Sequence, residues 1–440
     1  MKKIITLLLV ITMSLSLVAC AGNEASNESN GTSDTNSESS IASSEPSSEP
    51  SSTAAAKTPQ DFKTFKIGVC EAMANDESVI RRDYYENYIA PKYNVQFVFS
   101  EQCKSDEDEQ NFIANSIDAG CDAIITYRGN NIVQMLPYCD ERGVYYSGNF
   151  ASALPADFDP NAYEYWCGKF EPDQNSVAAN FANWLSASAS EDGNEGFLIC
   201  SALAFQKNPQ HLPCTITILN TLKDRYGLTY NDTVENIALT DAPLAVENDK
   251  GINIYIYPGS PMISDTWLPG VTALLQTGKY GAVMHMGQYY TNTAVVVDEV
   301  EQSFNKDIKV ASVAAMSETL TNAFNAKDKF GNPSLNMANI KPVSLISSEG
   351  FVRVYNALTG YNAANIATDG KIHSLQVNFL SAVSLEEINA FSKFDVAGGS
   401  DWIGADSVIN QVLCIYNETL TAADIQEVYS SIGTDEILNR

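Results

Sequence analysis

The fold is decided by residues 65–150, which contain four short apolar runs: FKIGVC (65–70), VQFVFS (95–100), AIITY (123–127) and VYYS (144–147). Longer segments, in which apolar residues recur about every 3.6 positions, separate these runs. Strands that alternate with helices build βαβ units, whose parallel sheet is covered by helices on both faces. Ligands bind such sheets outside the carboxyl ends of the strands. The loops after Cys70, Tyr127 and Gly148 are therefore the first places to search for a functional site.

The same alternation restarts after the turn-forming cluster EDGNEG at residues 191–196. Apolar runs at 197–201, 252–257, 281–286 and 308–314 predict a second set of strands. In the first set, the helix after the first strand is expected to end near Ile89, because Pro91 lacks a backbone N–H. The order of elements predicts an α/β protein with two lobes laid end to end.

The amino terminus has the pattern of an export signal. Lys2 and Lys3 precede an apolar run at 4–18, which has signal-peptide length and is short for a membrane span. The run ends in the sequence LVAC, which resembles the bacterial lipobox and implies cleavage before Cys20 and attachment of lipid to its sulfur. Two or three acyl chains make a stable anchor. An ordinary signal peptide with a chance cysteine is the alternative.

A tether is expected after the signal. Residues 21–60 are rich in Ser, Glu, Asn and Thr and contain no aromatic residue. Such a segment buries too little apolar surface to offset its ordering entropy, which predicts a disordered linker. Residues 1–20 form the signal peptide with its lipobox. After cleavage before Cys20, lipid on Cys20 and this linker at 21–60 would together hold a globular body outside the cell, on the membrane surface.

The composition disfavours several classes of function. The formal net charge is −28, which argues against nucleic acid and anionic membrane surfaces as partners. Three histidines are present, without a GxSxG, HExxH or P-loop motif, so we expect no catalysis, no cofactor and no metal. His285 ends a predicted strand and is either a ligand contact or a buried core histidine. The acidic run 106–109 is interpreted as a first helical turn rather than a cation site.

The cysteines give no metal or redox motif. Eight follow Cys20, and none forms a CxxC pair. Because Cys70 and Cys200 end apolar runs, buried free thiols are the expected state for most of them. The eight are Cys70, Cys103, Cys121, Cys139, Cys167, Cys200, Cys214 and Cys414.

Five segments carry a resemblance to a known family: KIGVC (66–70), IDAGCDAIITY (117–127), ERGVYYSGN (141–149), LLQTGKYGAVMHMG (274–287) and IKVASVA (308–314). Across about residues 65–383 the chain resembles the type I periplasmic-binding-protein family, the solute-binding proteins of ABC importers. The resemblance implies two doubly wound, Rossmann-like lobes joined by a multi-strand hinge. It also implies a monomer that captures a small, sugar-like ligand between the lobes and passes it to a permease. A sensory module that presents its ligand to a membrane kinase or chemoreceptor is the alternative.

The resemblance also implies a division of the chain. Residues 61–190 and about 341–372 would form the first lobe, and residues 191–340 and about 373–384 the second. Residues 385–440 exceed what the family usually needs. They are expected to form a helical extension that covers one lobe, or else an appendage that docks a partner.

Ligand contacts are expected from loops at the carboxyl ends of strands in both lobes. Arg128 is the strongest candidate, because a guanidinium can fork to hydroxyls or a carboxylate, although it could instead pair with a nearby acid. Each aromatic candidate could be a core residue, and Asn149 could cap a loop. The first-lobe candidates are Glu71, Met73, Arg128, Asn130, Asn149 and Phe150. The second-lobe candidates are Phe205, Gln206, Tyr257, Gln288, Tyr289 and Glu318.

The second lobe departs from the pattern of the family's sugar binders. These usually carry an Asp after the strand matching 308–314, where this chain has AMSE at 315–318. They usually carry Asn or Asp after the strand matching 281–286, where this chain has GQY at 287–289. Glu318 and Gln288 could substitute at longer reach. A larger glycan fragment, an aromatic-bearing solute and a signalling molecule therefore stand beside a monosaccharide as candidate ligands.

Overall fold

The computed structural model describes residues 57–150, 154–201, 211–261 and 264–440. The predictions about the signal peptide, Cys20, Phe205 and Gln206 fall outside these residues, as does the tether up to residue 56. The predicted tether extends too far at its end, because Pro59–Asp61 forms a 3-10 turn in which Pro59 is buried. Within the described ranges, no helix combines the length and the apolar character that a membrane crossing requires.

The strands of the described residues form one sheet of six and one of seven. Their bounds are β1 Phe65–Glu71, β2 Val95–Gln102, β3 Ala123–Thr126, β4 Tyr145–Gly148, β5 Trp166–Pro172, β6 Phe197–Ser201, β7 Leu244–Ala245, β8 Ile254–Pro258, β9 Ala282–His285, β10 Lys309–Ala315, β11 Met337–Lys341, β12 Leu375–Val377 and β13 Leu380–Ala382. The first sheet has the order β12-β5-β4-β3-β1-β2 and is parallel throughout. The second has the order β13-β11-β10-β9-β6-β8-β7, with β7 and β13 antiparallel at its two edges.

Helices connect the strands and cover the sheets. They are α1 Asp76–Asp83, α2 Ala90–Tyr93, α3 Asp106–Asp118, α4 Ile132–Asp140, α5 Gln174–Ser188, α6 Leu212–Tyr226, α7 Val234–Ala238, α8 Trp267–Leu275, α9 Tyr290–Phe304, α10 Glu318–Asn325, α11 Val343–Leu358, α12 Leu385–Phe391, α13 Asp406–Val412, α14 Ala422–Ser431 and α15 Thr434–Leu438. Every residue of β3 and of β9 is buried, as expected for parallel strands covered on both faces. The predicted α/β class, with two doubly wound lobes, is confirmed.

Three connections join the lobes. The chain leaves the first sheet at Pro172, returns after Lys341, and leaves again between Val377 and Leu380. The expected lobe boundaries differ from this in two places. Helix α5, expected in the first lobe, packs against α6 of the second. Strand β12, expected in the second lobe, pairs with β5 of the first. The three connections form a hinge, across which Gln288, after β9 of the second sheet, contacts Glu77, after β1 of the first.

The helix after β1 continues beyond its expected end. Between α1 and α2 the chain forms a π-helical turn, Tyr84–Ile89, and Pro91 then occupies the first turn of α2. Proline is tolerated there because a first-turn N–H has no intrahelical acceptor. The helix ends instead at Asn94, which adopts the left-handed conformation with φ of 52°. The prediction that the helix ends near Ile89, before Pro91, is therefore wrong. The π-helical turn leads directly into α2, which begins at Ala90.

The carboxyl-terminal extension contacts both lobes rather than one. Helices α13 and α14 lie on the first lobe, where Tyr88 donates a 2.8 Å hydrogen bond to Asp406. Helices α12 and α15 lie on the second lobe, where the Ser381 N–H donates to Thr434 over 2.8 Å. Residues 385–440 thus contact β12 of the first sheet and β13 of the second.

Candidate functional site

The cleft between the lobes contains a small polar cavity of about 60 Å³. It lies where the carboxyl ends of β3, β4 and β5 meet the hinge, which is where a doubly wound fold places a ligand. Its wall combines three charged side chains and one amide with apolar residues and one aromatic ring. The lining residues are Glu77, Arg81, Tyr127, Asn149, Pro172, Lys341, Val343, Ile346 and Ser347.

Helix α1 supplies two of these charges. Asn75 caps the helix by accepting a 3.1 Å hydrogen bond from the Ser78 N–H. Glu77 and Arg81 are four residues apart and therefore share a face. The guanidinium carbon of Arg81 lies 3.4 Å from the centroid of the Tyr127 ring, a close cation–π contact. The helix thus directs a buried cation into the cleft.

Arg81 forms an ion pair with Glu71 at the end of β1. The Arg81 Nε lies 3.4 Å from Glu71 Oε1, and each side chain is 7% exposed. The contact is electrostatic only, because Arg81 Nε, Arg81 Nη1 and Glu71 Oε1 are buried atoms without a hydrogen-bond partner among the described residues. Burial raises the pKa of Glu71, against the attraction of Arg81. Two donors and an acceptor beside the cavity are thus unsatisfied.

Glu77 joins the two lobes directly. Its carboxylate lies 2.9 Å from the Lys341 ammonium and accepts a 2.6 Å hydrogen bond from the Gln288 side-chain amide of the second lobe. Burial opposes ionisation, but attraction to Lys341 and to Arg81 outweighs it and holds the pKa of Glu77 below its ordinary value. Glu77 is therefore ionised, and its carboxylate links the two sides of the cleft.

Arg128 lies away from this cavity. Its Nη2 is 2.7 Å from Asp106 Oδ1, its Nη1 is 3.3 Å from Glu109 Oε2, and its Nε donates to the Cys103 carbonyl. Asp106 and Glu109 belong to the first turn of α3, as the sequence interpretation of the acidic run expected. Arg128 thus pairs with nearby acids, which was the alternative to a ligand role. It could contact a ligand only if these ion pairs were broken.

The other first-lobe candidates are divided between cavity, core and surface. Asn149 lines the cavity, and Glu71 forms an ion pair with Arg81, which also lines it. Phe150 is 3% exposed and packs within the core formed by β4, α4 and their neighbours, which is its core alternative. Met73 and Asn130 are exposed and line none of the described cavities.

The second-lobe candidates are similarly divided. Gln288 faces Glu77 across the cleft. Tyr257 and Tyr289 flank Trp267, with ring centroids 6.3 and 5.3 Å from it, and form an aromatic cluster behind the cleft. Glu318 is exposed in the first turn of α10. The structure thus brings Glu71, Asn149 and Gln288 together near the cavity.

His285 belongs to the core. It is fully buried in β9, and its Nε2 lies 3.0 Å from Thr293 Oγ1. Burial lowers the pKa of the imidazole to about 3. Of the two interpretations of His285, the geometry favours the buried core histidine, held neutral at physiological pH.

Replacing His285 with glutamine is expected to make the free energy of unfolding depend less steeply on pH at acidic pH. In the native chain His285 stays neutral down to about pH 3, whereas in the unfolded chain it binds a proton near its ordinary pKa of about 6.5. The unfolded state therefore gains protons first, and each pH unit lost in this window costs up to about 1.4 kcal/mol of stability. Urea unfolding between these pH values measures the slope. The exposed His373→Gln variant is the control, and an unchanged slope in His285→Gln would contradict this assignment.

Two other features lie outside the cleft. A larger cavity, of about 350 Å³, is formed by first-lobe and extension residues between β12, α14 and the loop 364–368. The second lobe contributes no residue to its wall. The carboxylates of Glu301, Asp307 and Asp328 lie within 4.8 Å of one another and could hold a cation. Burial raises the pKa of Glu301 to about 7, so that a shared proton accounts for the cluster equally well.

Glu77, Arg81 and Lys341 were not predicted from the sequence. The predicted candidates lie at or soon after the ends of strands, whereas Glu77 and Arg81 enter the cleft from the first and second turns of α1. The available signal was the spacing of four between an acid and an arginine in the helix after the first strand. Lys341 follows from no local pattern, because it enters the cleft only through the return of the chain to the first lobe.

Comparisons with solved structures give the same architecture. The chain is similar to a sugar ABC transporter protein from Yersinia enterocolitica, with a TM-score of 0.52, 14% identity, and coverage of 83% of this chain and 96% of that one. A periplasmic ribose ABC transporter protein from Conexibacter woesei has a TM-score of 0.51 and 12% identity, with coverage of 74% and 93%. A solute-binding protein from Clostridium phytofermentas with bound L-rhamnose has a TM-score of 0.51 and 10% identity, with coverage of 73% and 96%.

No protein-family model matches the sequence, and no curated protein does. At identities of 10–14% the structural matches establish the architecture and nothing finer. The strand orders, the three connections and these matches together show that the chain has the type I periplasmic-binding-protein fold.

Proposed function

We propose that this protein is a solute-binding protein that captures a small polyhydroxylated, sugar-like ligand between its lobes for an ABC importer. Binding, rather than chemistry, is its activity. We further propose that it works outside the cell, anchored to the membrane by lipid on Cys20, as the sequence LVAC at 17–20 suggests. The sensory alternative would use the same cleft, and no feature of the described residues favours it.

The observation that carries this proposal is a group of buried, unsatisfied polar atoms around Arg81, a residue that lines the cavity. Arg81 offers two buried N–H donors and Glu71 one buried acceptor, all without a hydrogen-bond partner among the described residues. Leaving such groups unpaired costs about 1–3 kcal/mol each, so that a ligand that pairs them gains that energy. Hydroxyls suit the set because each can donate to the carboxylate and accept from the guanidinium. The Tyr127 ring provides an apolar face nearby.

Ligand uptake requires the lobes to part. The cavity of about 60 Å³ is far smaller than the roughly 300 Å³ or more of ordinary ligand pockets. Separating Glu77 from Lys341 and Gln288 would open the cleft, and the three hinge connections allow that motion. Closure on a ligand would then exclude water from the Arg81–Glu71 pair, which strengthens its electrostatic contacts.

The ligands of proteins with the same fold suggest which solutes to test. Among the matches, one binds L-rhamnose, one is named for ribose, and a carbohydrate transporter protein from Acidothermus cellulolyticus holds myo-inositol. All three ligands are compact polyols. A compact polyol also suits a cavity whose wall carries one acid, two bases and an amide.

A thermal-shift screen tests the proposal. The protein from residue 57 onward is heated with L-rhamnose, ribose or myo-inositol, and one polyol is expected to raise the midpoint in a concentration-dependent way. At about 100 times Kd, mass action adds about 2.7 kcal/mol to the stability of the folded state. Absence of any shift with these polyols and with a wider sugar panel, at millimolar concentration, would overturn the sugar-like assignment.

Two asparagines provide a matched pair for the same screen. Asn149→Ala removes an amide that lines the cavity, and is expected to weaken binding about fivefold, because one hydrogen bond contributes about 1 kcal/mol. Asn130→Ala removes an exposed amide outside the cavity and should leave the shift intact. Equal losses in both variants would place the ligand elsewhere.

A further inference from the structure

Two cysteines meet at the carboxyl end of the first sheet. Cys70 lies in β1 and Cys103 directly follows β2, the neighbouring parallel strand. Their sulfurs are 3.5 Å apart, with the Cys70 thiol as donor, and the two side chains are 0% and 5% exposed. The Cys103 N–H also donates a 2.9 Å hydrogen bond to the Glu71 carbonyl. The backbone therefore holds the two sulfurs in register.

This pair differs from the other thiols. All eight cysteines after Cys20 are free and buried. Within the described ranges, only Cys70 and Cys103 are in thiol–thiol contact, whereas the Cys167 and Cys214 thiols donate to backbone carbonyls. The hydrogen bond from Cys70 lowers the pKa of Cys103 to about 7, which makes Cys103 the more nucleophilic partner near neutral pH.

We propose that Cys70 and Cys103 are a disulfide site, closed by a disulfide-bonded oxidant outside the cytoplasm. The pair needs an approach of only about 1.5 Å to reach bonding distance, which a loop residue beside the exposed Lys104 can supply. The oxidising compartment rests on the proposed export, but the bond itself depends only on the geometry.

The chemistry is ordinary thiol–disulfide exchange. The Cys103 thiolate attacks one sulfur of the oxidant, forms a mixed disulfide and releases the other half of the oxidant as a thiolate. Cys70 loses its proton and attacks the Cys103 sulfur, forming the Cys70–Cys103 bond and releasing the second half. The two protons of the protein thiols end on the two released thiols, and the oxidant takes up the two electrons.

The bond would fix the end of β1 to the loop that follows β2 in the first lobe. It joins positions 33 residues apart, beside Glu71 on one side and next to the start of α3 on the other. The Cys103 carbonyl also accepts a hydrogen bond from Arg128, so that the same loop orients that side chain. Cross-linking restricts the unfolded chain and the loop together, which stabilises the first lobe.

Thiol counting with oxidised glutathione tests the proposal on the protein from residue 57 onward. After native oxidation and denaturation, the titratable thiols are expected to fall from eight to six, since one bond consumes two. Mass spectrometry should identify one peptide pair, joined through Cys70 and Cys103. The oxidised form is expected to melt about 5 °C above the reduced form.

Serine variants provide the controls. Cys70→Ser and Cys103→Ser should each abolish the loss of the two thiols, whereas Cys200→Ser, a buried strand cysteine of the second lobe, should still lose two. Circular dichroism verifies that each variant folds, and alanine versions replace any that do not. Eight titratable thiols after oxidation, a different linked pair, or an oxidised form that melts no higher than the reduced one would overturn the proposal. None of these readouts requires a ligand, so a failure here would be distinguishable from a failure of the sugar-binding proposal.

Discussion

Replacing Asp395 with alanine is expected to lower the free energy of unfolding by about 3–5 kcal/mol. The carboxylate is 1% exposed and lies in the extension, between α12 and α13. It accepts hydrogen bonds from the Ser344 N–H (2.9 Å), the Ser344 hydroxyl and the Ile403 N–H (3.1 Å). Removing it leaves these buried donors unpaired. It also removes an acceptor from the amino terminus of α11, the helix through which the chain returns to the first lobe.

Urea unfolding at pH 7 measures this loss, and two further variants calibrate it. Asp395→Asn keeps an acceptor and tolerates the left-handed φ of 53° at this position, so its loss should be smaller. Asp401→Ala removes an exposed carboxylate from the same loop and should stay within about 0.5 kcal/mol of the unchanged protein. A loss below about 1 kcal/mol for Asp395→Ala would show that the donors find other acceptors.

The result bears on the role of the extension. If one carboxylate in residues 385–440 supports a helix of the first lobe, the extension is part of the folding unit. Its helices also contact β13 of the second lobe, so it must move with the hinge or limit it. A docking appendage, by contrast, would tolerate Asp395→Ala with little change in stability.

The sequence predicted the elements of the fold better than their assignment to lobes. The alternation of strands and helices is local, and β1, β3 and β9 lie where their apolar runs placed them. The errors in assignment concern α5 and β12, which lie next to the connections between the lobes. Both have the local pattern of their element type, but only long-range pairing with α6 or β5 decides the lobe.

The candidate site shows the same limit. Residues directly after strands were predictable, and Glu71 and Asn149 are near the cavity. Arg128 also follows a strand, but its guanidinium turns toward Asp106 and Glu109. Two carboxylates at the start of α3 attract the guanidinium more strongly than the solvent in the cleft does. Which arginine faces a cleft depends on where every nearby acid lies, and that is a property of the folded chain.

Replacing Arg81 with methionine is expected to weaken binding of the polyol identified by the thermal-shift screen about 100-fold, which corresponds to about 3 kcal/mol. Methionine keeps much of the apolar stem against Tyr127 but removes the two unsatisfied donors at the cavity. Glu71, whose pKa burial already raises, can take up a proton when its partner is lost. The variant should therefore fold, and isothermal titration calorimetry can measure the loss of affinity directly.

Two other arginines make this test specific. Arg82, the next residue on α1, packs over Phe99 with its guanidinium carbon 4.4 Å from the ring centroid, and Arg82→Met should change affinity by less than about threefold. Arg128→Met should keep the affinity but lower the stability, because it leaves the fully buried Glu109 without its cation. If instead Arg128→Met abolishes binding and Arg81→Met does not, the ligand lies against the start of α3, and the cavity assignment is wrong. Because the three variants remove the same side chain, a difference in affinity among them reports the position of the ligand rather than the loss of one positive charge.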